Sequence, residues 1–115
     1  MSEHRLCRLA DLADPGARGF EVTDVAGTAW RLLLVRRGEH AFLYQNQCPH
    51  AGVPLDWMPD QFFDMSGSFL QCATHGALFT LEEGRCLSGP CVGDHLRALP
   101  LEARADGLWA CLPTS

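Results

Sequence analysis

The sequence has no lysine, and its nine basic residues, all arginine, are outnumbered by 14 acidic residues, which gives a net charge of −5. No stretch of the chain concentrates the basic residues into a stripe. A nucleic-acid-binding protein needs such a stripe, so this class is excluded. An acidic protein is better suited to a partner with a positive surface, because opposite charges accelerate encounter.

The sequence also has no long apolar run. No segment approaches the roughly 18 apolar residues of a membrane helix, and the polar opening Met1-Ser2-Glu3-His4 does not resemble a signal peptide. We therefore expect a cytoplasmic protein with no membrane segment. Its 115 residues fit one domain spanning residues 1–115, and an apolar content of 47% is enough for a core.

Helix signals are scarce, while 11 glycines and seven prolines divide the chain into short pieces. Turn sequences at 37–39, 66–67, 82–84 and 105–107 predict four β-hairpins. A short helical turn is predicted over 9–13. The pattern predicts an antiparallel all-β sandwich or barrel. Its predicted strands are 5–9, 20–23, 29–36, 41–45, 61–65, 68–71, 77–81, 85–87, 95–102 and 108–112.

Six cysteines are many for a chain of this length. In a secreted protein they would suggest disulfides, but in the cytoplasm cysteines at short spacing more often bind metal. Two segments each combine a cysteine with a histidine: the first box, Cys48-Pro49-His50, and the second box, Cys72-Ala73-Thr74-His75. The 21 residues between the boxes contain a predicted hairpin. Because a hairpin folds back on itself, both boxes can lie side by side.

Two sulfur and two nitrogen ligands suit either zinc or an iron–sulfur centre. Zinc fingers usually take two cysteines from one element and two histidines from another. Here each box supplies one of each, which favours a two-iron cluster with one iron bound by cysteines and the other by histidines. A structural zinc site remains the alternative.

The segments Cys48-Pro49-His50-Ala51-Gly52 and Cys72-Ala73-Thr74-His75-Gly76 resemble the two boxes of the Rieske [2Fe–2S] family. Gly89-Pro90 resembles the proline loop that covers the cluster in that family. The resemblance implies an antiparallel Rieske domain with a small cluster-binding subdomain. Its cluster-binding loops would span about 46–57 and 72–79, and its proline loop about 86–93.

By the same resemblance, the chain binds one [2Fe–2S] cluster. Cys48 and Cys72 would ligate the inner iron, and His50 and His75 would ligate the outer iron near the surface. No residue is expected to be catalytic.

Four positions differ from the respiratory Rieske proteins. Those proteins have a disulfide at the positions of Val53 and Thr74, and hydroxyl donors to the cluster at the positions of Ala77 and Phe79. Hydrogen bonds around a metal site tune its properties. We therefore expect a potential near the low end of the Rieske range of about −150 to +300 mV. These features resemble a soluble Rieske-type ferredoxin.

The function implied is electron transfer by a monomeric protein that is not an enzyme. It would accept electrons from a flavin-dependent or ferredoxin reductase and pass them to a terminal oxidoreductase, which in this family is often an oxygenase. A redox-sensing or regulatory subunit is the alternative, with Cys86 and Cys91 as a thiol switch, although two reduced thiols are favoured in the cytoplasm.

The remaining cysteines and an aromatic pair are expected to be structural. Cys7 and Cys111 lie in strand patterns and are predicted to be small apolar core residues. Phe62 and Phe63 occupy the long segment between the boxes. Adjacent residues of a strand face opposite sides, so one ring could be exposed beside the cluster, but we expect both to pack beneath the loop.

Overall fold

A computed structural model describes residues 2–49, 55, 62–64, 66–72, 76–89 and 92–112. These residues form nine β-strands and one 3₁₀ turn at Leu9–Asp11, with no α-helix among them. In the part of the chain that the structure describes, no helix is long and apolar enough to cross a membrane. The strands are β1 (Ser2–Cys7), β2 (Gly16–Thr23), β3 (Ala29–Arg37), β4 (His40–Gln45), β5 (Leu70–Gln71), β6 (Leu78–Phe79), β7 (Cys86–Ser88), β8 (Leu101–Arg104) and β9 (Gly107–Leu112).

The strands form three antiparallel sheets of three strands each, in the orders β1-β9-β8, β2-β3-β4 and β5-β6-β7. Pairing of β1 with β9 places Ser2 opposite Leu112. The hairpins predicted around 37–39, 82–84 and 105–107 are present as β3–β4, β6–β7 and β8–β9. The predicted all-β, antiparallel architecture is therefore confirmed.

Strand β3 separates two apolar cores. Four consecutive residues, Leu32 to Val35, are fully buried. Successive side chains of a strand point to opposite faces. Leu32 and Leu34 accordingly join one core together with residues of β1 and β9. Leu33 and Val35 join a second core, which contains Cys48 and Cys72. The continuous apolar run of β3 thus supports the sheet β1-β9-β8 on one face, and Cys48 and Cys72 on the other.

We call residues 2–45 and 96–112, which form sheets β1-β9-β8 and β2-β3-β4, the base, and residues 46–95 between them the insertion. The Gln45 backbone N–H donates to the Arg97 carbonyl at 2.8 Å, and Leu99 N–H donates to the Leu43 carbonyl at 2.9 Å. Both boxes lie in this insertion, together with sheet β5-β6-β7. The base therefore holds the insertion at both ends.

The continuous strand predicted over 95–102 is wrong. The structure has isolated bridges at His95 and Ala98, and a regular strand only from Leu101 onward. Arg97 and Leu99 bond to β4, whereas 101–104 pair with β9 in another sheet. Pro100 lies at this change of sheet, where its missing N–H removes one ladder hydrogen bond. Apolar alternation does not reveal that a strand changes partner.

Other predicted boundaries shift by a few residues. Strand β1 begins earlier than predicted and ends at Cys7, because Arg8 turns into the 3₁₀ segment, where its N–H donates to Asp11 Oδ2 at 3.0 Å. Strand β2 begins at Gly16, since its weakly apolar first half pairs with the end of β3. Within the predicted strand 61–65 the structure describes residues 62–64, and Phe63 bridges Leu70.

Tyr44 ties strand β4 to the hairpin that follows the second box. Its hydroxyl is buried and donates to the Leu81 carbonyl at 2.8 Å. Burial also raises the pKa of this hydroxyl. Gly84 lies so close that a Cβ there would be 2.8 Å from Tyr44 Cε1. The ring and its hydroxyl therefore fix the β6–β7 hairpin onto the base.

We expect Tyr44→Phe to lower the free energy of unfolding by about 1–3 kcal/mol, because the buried Leu81 carbonyl loses its donor. Urea denaturation followed by tryptophan fluorescence measures this change. Phe42→Leu, at a half-buried position on the same strand that changes ring packing but no hydrogen bond, serves as the comparison. An unchanged unfolding free energy in Tyr44→Phe would show that this hydrogen bond contributes nothing net.

Candidate metal centre

The cysteines of the two boxes are buried in the same core. Cys48 and Cys72 each have 0% exposure, and both belong to the apolar cluster that also contains Leu33, Leu70 and Phe79. The fold thus brings two cysteines that are 24 positions apart in the chain into the same core. Thiolates in a dry, apolar setting are suitable ligands for zinc or for iron–sulfur clusters. The described half of the predicted ligand set therefore fits such a centre.

A side-chain hydrogen bond joins the start of the first cluster-binding loop to a residue further along the same loop. Asn46, the residue after β4, is 7% exposed, and its Oδ1 accepts the Leu55 backbone N–H at 2.9 Å. Leu55 itself is fully buried in the core that holds Cys48. Sequence reasoning did not single out Asn46, because its partner is a backbone group nine residues away that is close only once the loop has folded.

Two backbone hydrogen bonds position Cys72 at the tip of the β5–β6 hairpin. Cys72 N–H donates to the Ala77 carbonyl at 2.9 Å, and Gly76 N–H donates to the Cys72 carbonyl at 2.8 Å. Gly76 has φ of +70°, a conformation that L side chains rarely adopt. The turn directly after the second box therefore requires a glycine.

The segment predicted as a proline loop contacts Ala77, two residues after the second box. A Cβ placed on Gly89 would lie 2.8 Å from Ala77 Cα, closer than atoms normally approach. The two ends of this segment are joined by the Cys86 N–H, which donates to the Asp94 carbonyl at 2.9 Å. Gly89 therefore permits a backbone contact that a larger residue would prevent. The sequence singled out Gly89-Pro90 but did not predict which residue it touches.

Two positions that affect the electrostatics beside the cysteines carry no hydroxyl group. Ala77 and Phe79 are both fully buried, in the same core as Cys48 and Cys72. Neither side chain can donate a hydrogen bond. These residues make the protein side of the site apolar, as the sequence comparison with respiratory Rieske proteins implied.

Several predicted site residues lie outside the described part of the structure. They include the proposed ligands His50 and His75, together with Val53, Thr74 and Cys91. The complete set Cys48, His50, Cys72 and His75 therefore stays a prediction. Cys86 is described: it is 1% exposed, and its thiol donates to the Ser88 carbonyl at 3.4 Å.

The aromatic pair between the boxes packs inward, as expected. Phe62 is fully buried, and Phe63 is half-buried against the core that contains the two cysteines. The Phe62 carbonyl also accepts the Gln71 N–H at 2.7 Å, next to Cys72. Both rings therefore pack in or against the core that contains Cys72.

A second group of metal-ligating residue types lies far along the chain from the boxes, in sheet β1-β9-β8. Ligand atoms of Glu3, Glu102 and Cys111 lie within 4.8 Å of one another. Arg104 already occupies the two carboxylates, with Nη2 at 2.7 Å from Glu3 and Nε at 3.0 Å from Glu102. Hydrogen bonding to Arg104 lowers the pKa of Glu102. The group is thus an ion-pair network.

Cys7 and Cys111 are core residues, as predicted, with exposures of 4% and 7%. Burial raises the pKa of both thiols, which favours their neutral forms. Neutral thiols are poor metal ligands, since the thiolate is the species that binds. Cys7 and Cys111 therefore act as core residues in this fold.

Comparisons with known proteins agree with this geometry. The family model of the Rieske [2Fe–2S] domain matches residues 2–102. No curated protein sequence matches significantly. Among solved structures, the ferredoxin of carbazole 1,9a-dioxygenase from Nocardioides aromaticivorans IC177 is similar with a TM-score of 0.72 and 23% identity. That similarity covers 98% of this chain and 100% of the ferredoxin.

Larger proteins contain a similar domain. The terminal oxygenase of carbazole 1,9a-dioxygenase from Novosphingobium sp. KA1 is similar with a TM-score of 0.76 and 17% identity, over 99% of this chain but 30% of the oxygenase. These identities establish a shared fold. The family match spans most of the chain, and a Rieske domain implies a [2Fe–2S] cluster. The chain belongs to the Rieske [2Fe–2S] domain family.

Proposed function

We propose that this protein is a soluble, low-potential Rieske-type ferredoxin. It carries single electrons from a flavin-dependent or ferredoxin reductase to a terminal enzyme, an oxygenase being the best-supported class. The carrying observation is that Cys48 and Cys72, from two separate boxes, are both fully buried in one apolar core. The similarity over the full length of a solved ferredoxin supports the same conclusion.

The partner class is supported by the solved complexes. One similar structure is a complex of reduced oxygenase and oxidized ferredoxin in carbazole 1,9a-dioxygenase, matched with a TM-score of 0.70 and 19% identity. A transient carrier needs only a small, weak interface with each partner. The protein itself performs no bond chemistry, and we expect it to act as a cytoplasmic monomer.

In this proposal Cys48 and Cys72 bind one iron, and His50 and His75 bind the other, in one cluster per chain. When bound, such a cluster accepts and releases a single electron. The protein's role is to hold the ligands and exclude water. Asn46 closes the first loop and Gly89 brings the proline loop against the second. The apolar side chains of Ala77 and Phe79 offer the reduced form no hydroxyl donor.

The redox-sensing alternative receives less support. A thiol switch requires an accessible thiolate, but Cys86 is 1% exposed and donates its thiol hydrogen to a carbonyl. Membership of the Rieske family also favours an iron–sulfur cluster over a structural zinc ion. Electron transfer therefore remains the function that the site supports best.

The test is an EPR spectrum of the anaerobically purified, dithionite-reduced protein, with iron and sulfide measured on the same sample. We expect a rhombic signal with two irons and two sulfides per chain. Zinc without sulfide, and no EPR signal, would reject the ferredoxin function. A reversible one-electron wave in protein-film voltammetry would further support single-electron transfer.

Gly89→Ala tests the proposed shielding by the proline loop. The new Cβ would collide with the Ala77 backbone, so the loop must move away from Ala77. We expect the cluster to be lost under air about five- to tenfold faster than in the parent, equivalent to about 1–1.4 kcal/mol. The decay of visible absorbance measures this rate.

Gly93→Ala is the matched control, because Gly93 has a similar φ of +98° in the same segment but no atom within 4 Å of the added Cβ. Both variants carry the backbone strain of a positive φ. Equal rates of cluster loss in the two variants would show that the contact with Ala77 does not protect the cluster.

A further inference from the structure

Trp30, near the start of β3, is held by a buried carboxylate. Its indole Nε1–H donates to Asp24 Oδ2 at 3.0 Å, and both residues are buried. The other carboxylate oxygen of Asp24 accepts the backbone N–H groups of Ala26 and Thr28, each at 2.9 Å. Hydrogen bonds from Trp30 and from this turn lower the pKa of Asp24, so the carboxylate is ionised at neutral pH. A charged acceptor therefore fixes the orientation of the indole.

The Trp30 ring also contacts the segment that follows the insertion. The guanidinium carbon of Arg97 lies 5.4 Å from the centre of the ring, within the range of a cation–π interaction. The backbone carbonyl of Arg97 accepts the N–H of Gln45, the last residue before the insertion, at 2.8 Å. Arg97 thus touches the indole with its side chain and the end of β4 with its backbone.

The residue after Trp30 holds the start of the insertion. The Arg31 carbonyl accepts the Asn46 N–H at 2.9 Å, and Asn46 Oδ1 in turn accepts the Leu55 N–H. Leu55 lies in the core that contains Cys48. Because Arg31 directly follows Trp30 in β3, a fixed indole also fixes the backbone to which the first loop is attached. The two ends of the insertion therefore meet at Trp30 and Arg31.

A second group of the same chemistry lies in the β8–β9 hairpin. Trp109 Nε1–H donates to Asp106 Oδ1 at 2.9 Å, and the guanidinium carbon of Arg104 lies 4.5 Å from the centre of the Trp109 ring. These three residues belong to one hairpin, whereas the group of Trp30 joins segments on either side of the insertion. The group of Trp109 therefore serves as a control within the same chain.

We propose that Trp30 is a positioning residue, held by Asp24 and contacted by Arg97, that keeps the two ends of the insertion together and thereby slows loss of the cluster. The effect on the cluster rests on the proposed electron-transfer function, whereas the effect on the ends of the insertion does not. When the indole is released, the hydrogen bond between Gln45 and Arg97 opens more often. Local opening of this kind requires less free energy than global unfolding.

Hydrogen exchange of the holoprotein, followed by mass spectrometry of its peptides, measures this opening. Asp24→Asn keeps one oxygen as an acceptor for the turn but places an amide N–H group, which cannot accept, opposite the indole N–H. We expect the peptides that contain Gln45, Asn46 and Leu55 to exchange about fivefold faster than in the parent. Peptides of β1 and β9 should keep the exchange rate of the parent.

Asp106→Asn is the matched control, because it removes the same carboxylate–indole hydrogen bond from Trp109. It should leave exchange at the two ends of the insertion unchanged. Equal acceleration at these ends in Asp24→Asn and Asp106→Asn would overturn the proposal. So would an acceleration in Asp24→Asn that is as large in β1 and β9 as at the ends of the insertion, since Asp24 would then stabilise the whole fold alike.

Trp30→Phe tests whether Asp24 acts through the indole. Phenylalanine keeps an aromatic ring in the core but has no N–H to donate. We expect the double variant Asp24→Asn/Trp30→Phe to exchange no faster than Trp30→Phe alone, because the carboxylate then has no indole to hold. If Asp24 served only its own turn, the two effects would add. Additive effects would therefore contradict the assignment of Trp30 as the residue through which Asp24 acts.

Arg97→Gln is a milder variant that leaves the core intact, because Arg97 is exposed. Loss of the cation from the Trp30 ring should accelerate exchange at Gln45 about twofold. An exchange rate at Gln45 equal to that of the parent would remove Arg97 from the proposal.

Cluster loss under air is measured on the same samples by the decay of visible absorbance. We expect the loss to be about threefold faster in Asp24→Asn than in the parent and unchanged in Asp106→Asn. Equal rates of loss in the two variants would overturn the effect on the cluster. Iron, sulfide and the EPR signal of the parent separate this result from failure of the proposed function. A parent without a cluster rejects the ferredoxin function, while the exchange rates still decide whether Trp30 holds the insertion.

Discussion

Replacing Cys72 with serine is expected to yield a protein that contains no [2Fe–2S] cluster. Cys72 is fully buried and held by two backbone hydrogen bonds at the hairpin tip, so no other side chain can readily take its place. A serine hydroxyl is a harder and weaker ligand for iron than a thiolate. Iron and sulfide content should fall to background, and the EPR signal should disappear. The same result is expected for Cys48→Ser.

Cys111→Ser is the matched control for this prediction. Cys111 is also buried, at 7% exposure, but it lies on β9 in the base. All three substitutions place a hydroxyl in a core, but only Cys48→Ser and Cys72→Ser should remove the cluster. Far-UV circular dichroism of each variant reports whether the β-sheets persist. A folded Cys72→Ser protein that keeps two irons and two sulfides would refute its assignment as a ligand.

Introducing hydroxyl groups at positions 77 and 79 is expected to raise the reduction potential of the cluster. Both side chains are buried in the core of Cys48 and Cys72, and the respiratory Rieske proteins have hydroxyl donors at the corresponding positions. A donor to the cluster favours the reduced, more negative state. A difference of about 1.4 kcal/mol corresponds to about 59 mV for one electron. We expect Ala77→Ser and Phe79→Tyr to raise the potential by about 60 mV each and the double variant by about 100 mV.

Protein-film voltammetry at neutral pH measures these potentials. Ala110→Ser is the control, because Ala110 is equally buried but belongs to the other core. Its potential should equal that of the parent. An unchanged or lower potential in both Ala77→Ser and Phe79→Tyr would mean that these positions do not direct a hydroxyl group toward the cluster.

Much of the fold could be predicted because its signals are local. Glycine-containing turns mark the hairpins, and short apolar segments mark their strands. Three of the four predicted hairpins are regular strand pairs, and the fourth is represented by the bridge between Phe63 and Leu70. The two Cys–His boxes were also visible, since ligand spacing within a loop is a property of consecutive residues.

Other predictions failed where a residue's partner is distant in the chain. Apolar character predicted one strand over 95–102, but its two halves bond to different sheets on either side of Pro100. The pattern of burial depends on which strand lies alongside, and this information is not contained in the segment itself.

The sequence by itself determined the all-β architecture, through its turns and short apolar segments, and the spacing of cysteine and histidine within each box. Only the tertiary structure decided which residues are buried together and which segments are in contact. Leu32 to Val35 divide the interior into two cores, Asn46 closes the first loop, and Gly89 contacts Ala77. Residue types and turns are encoded by neighbours in the chain, whereas burial and close approach arise from contacts between segments that meet only when the chain is folded.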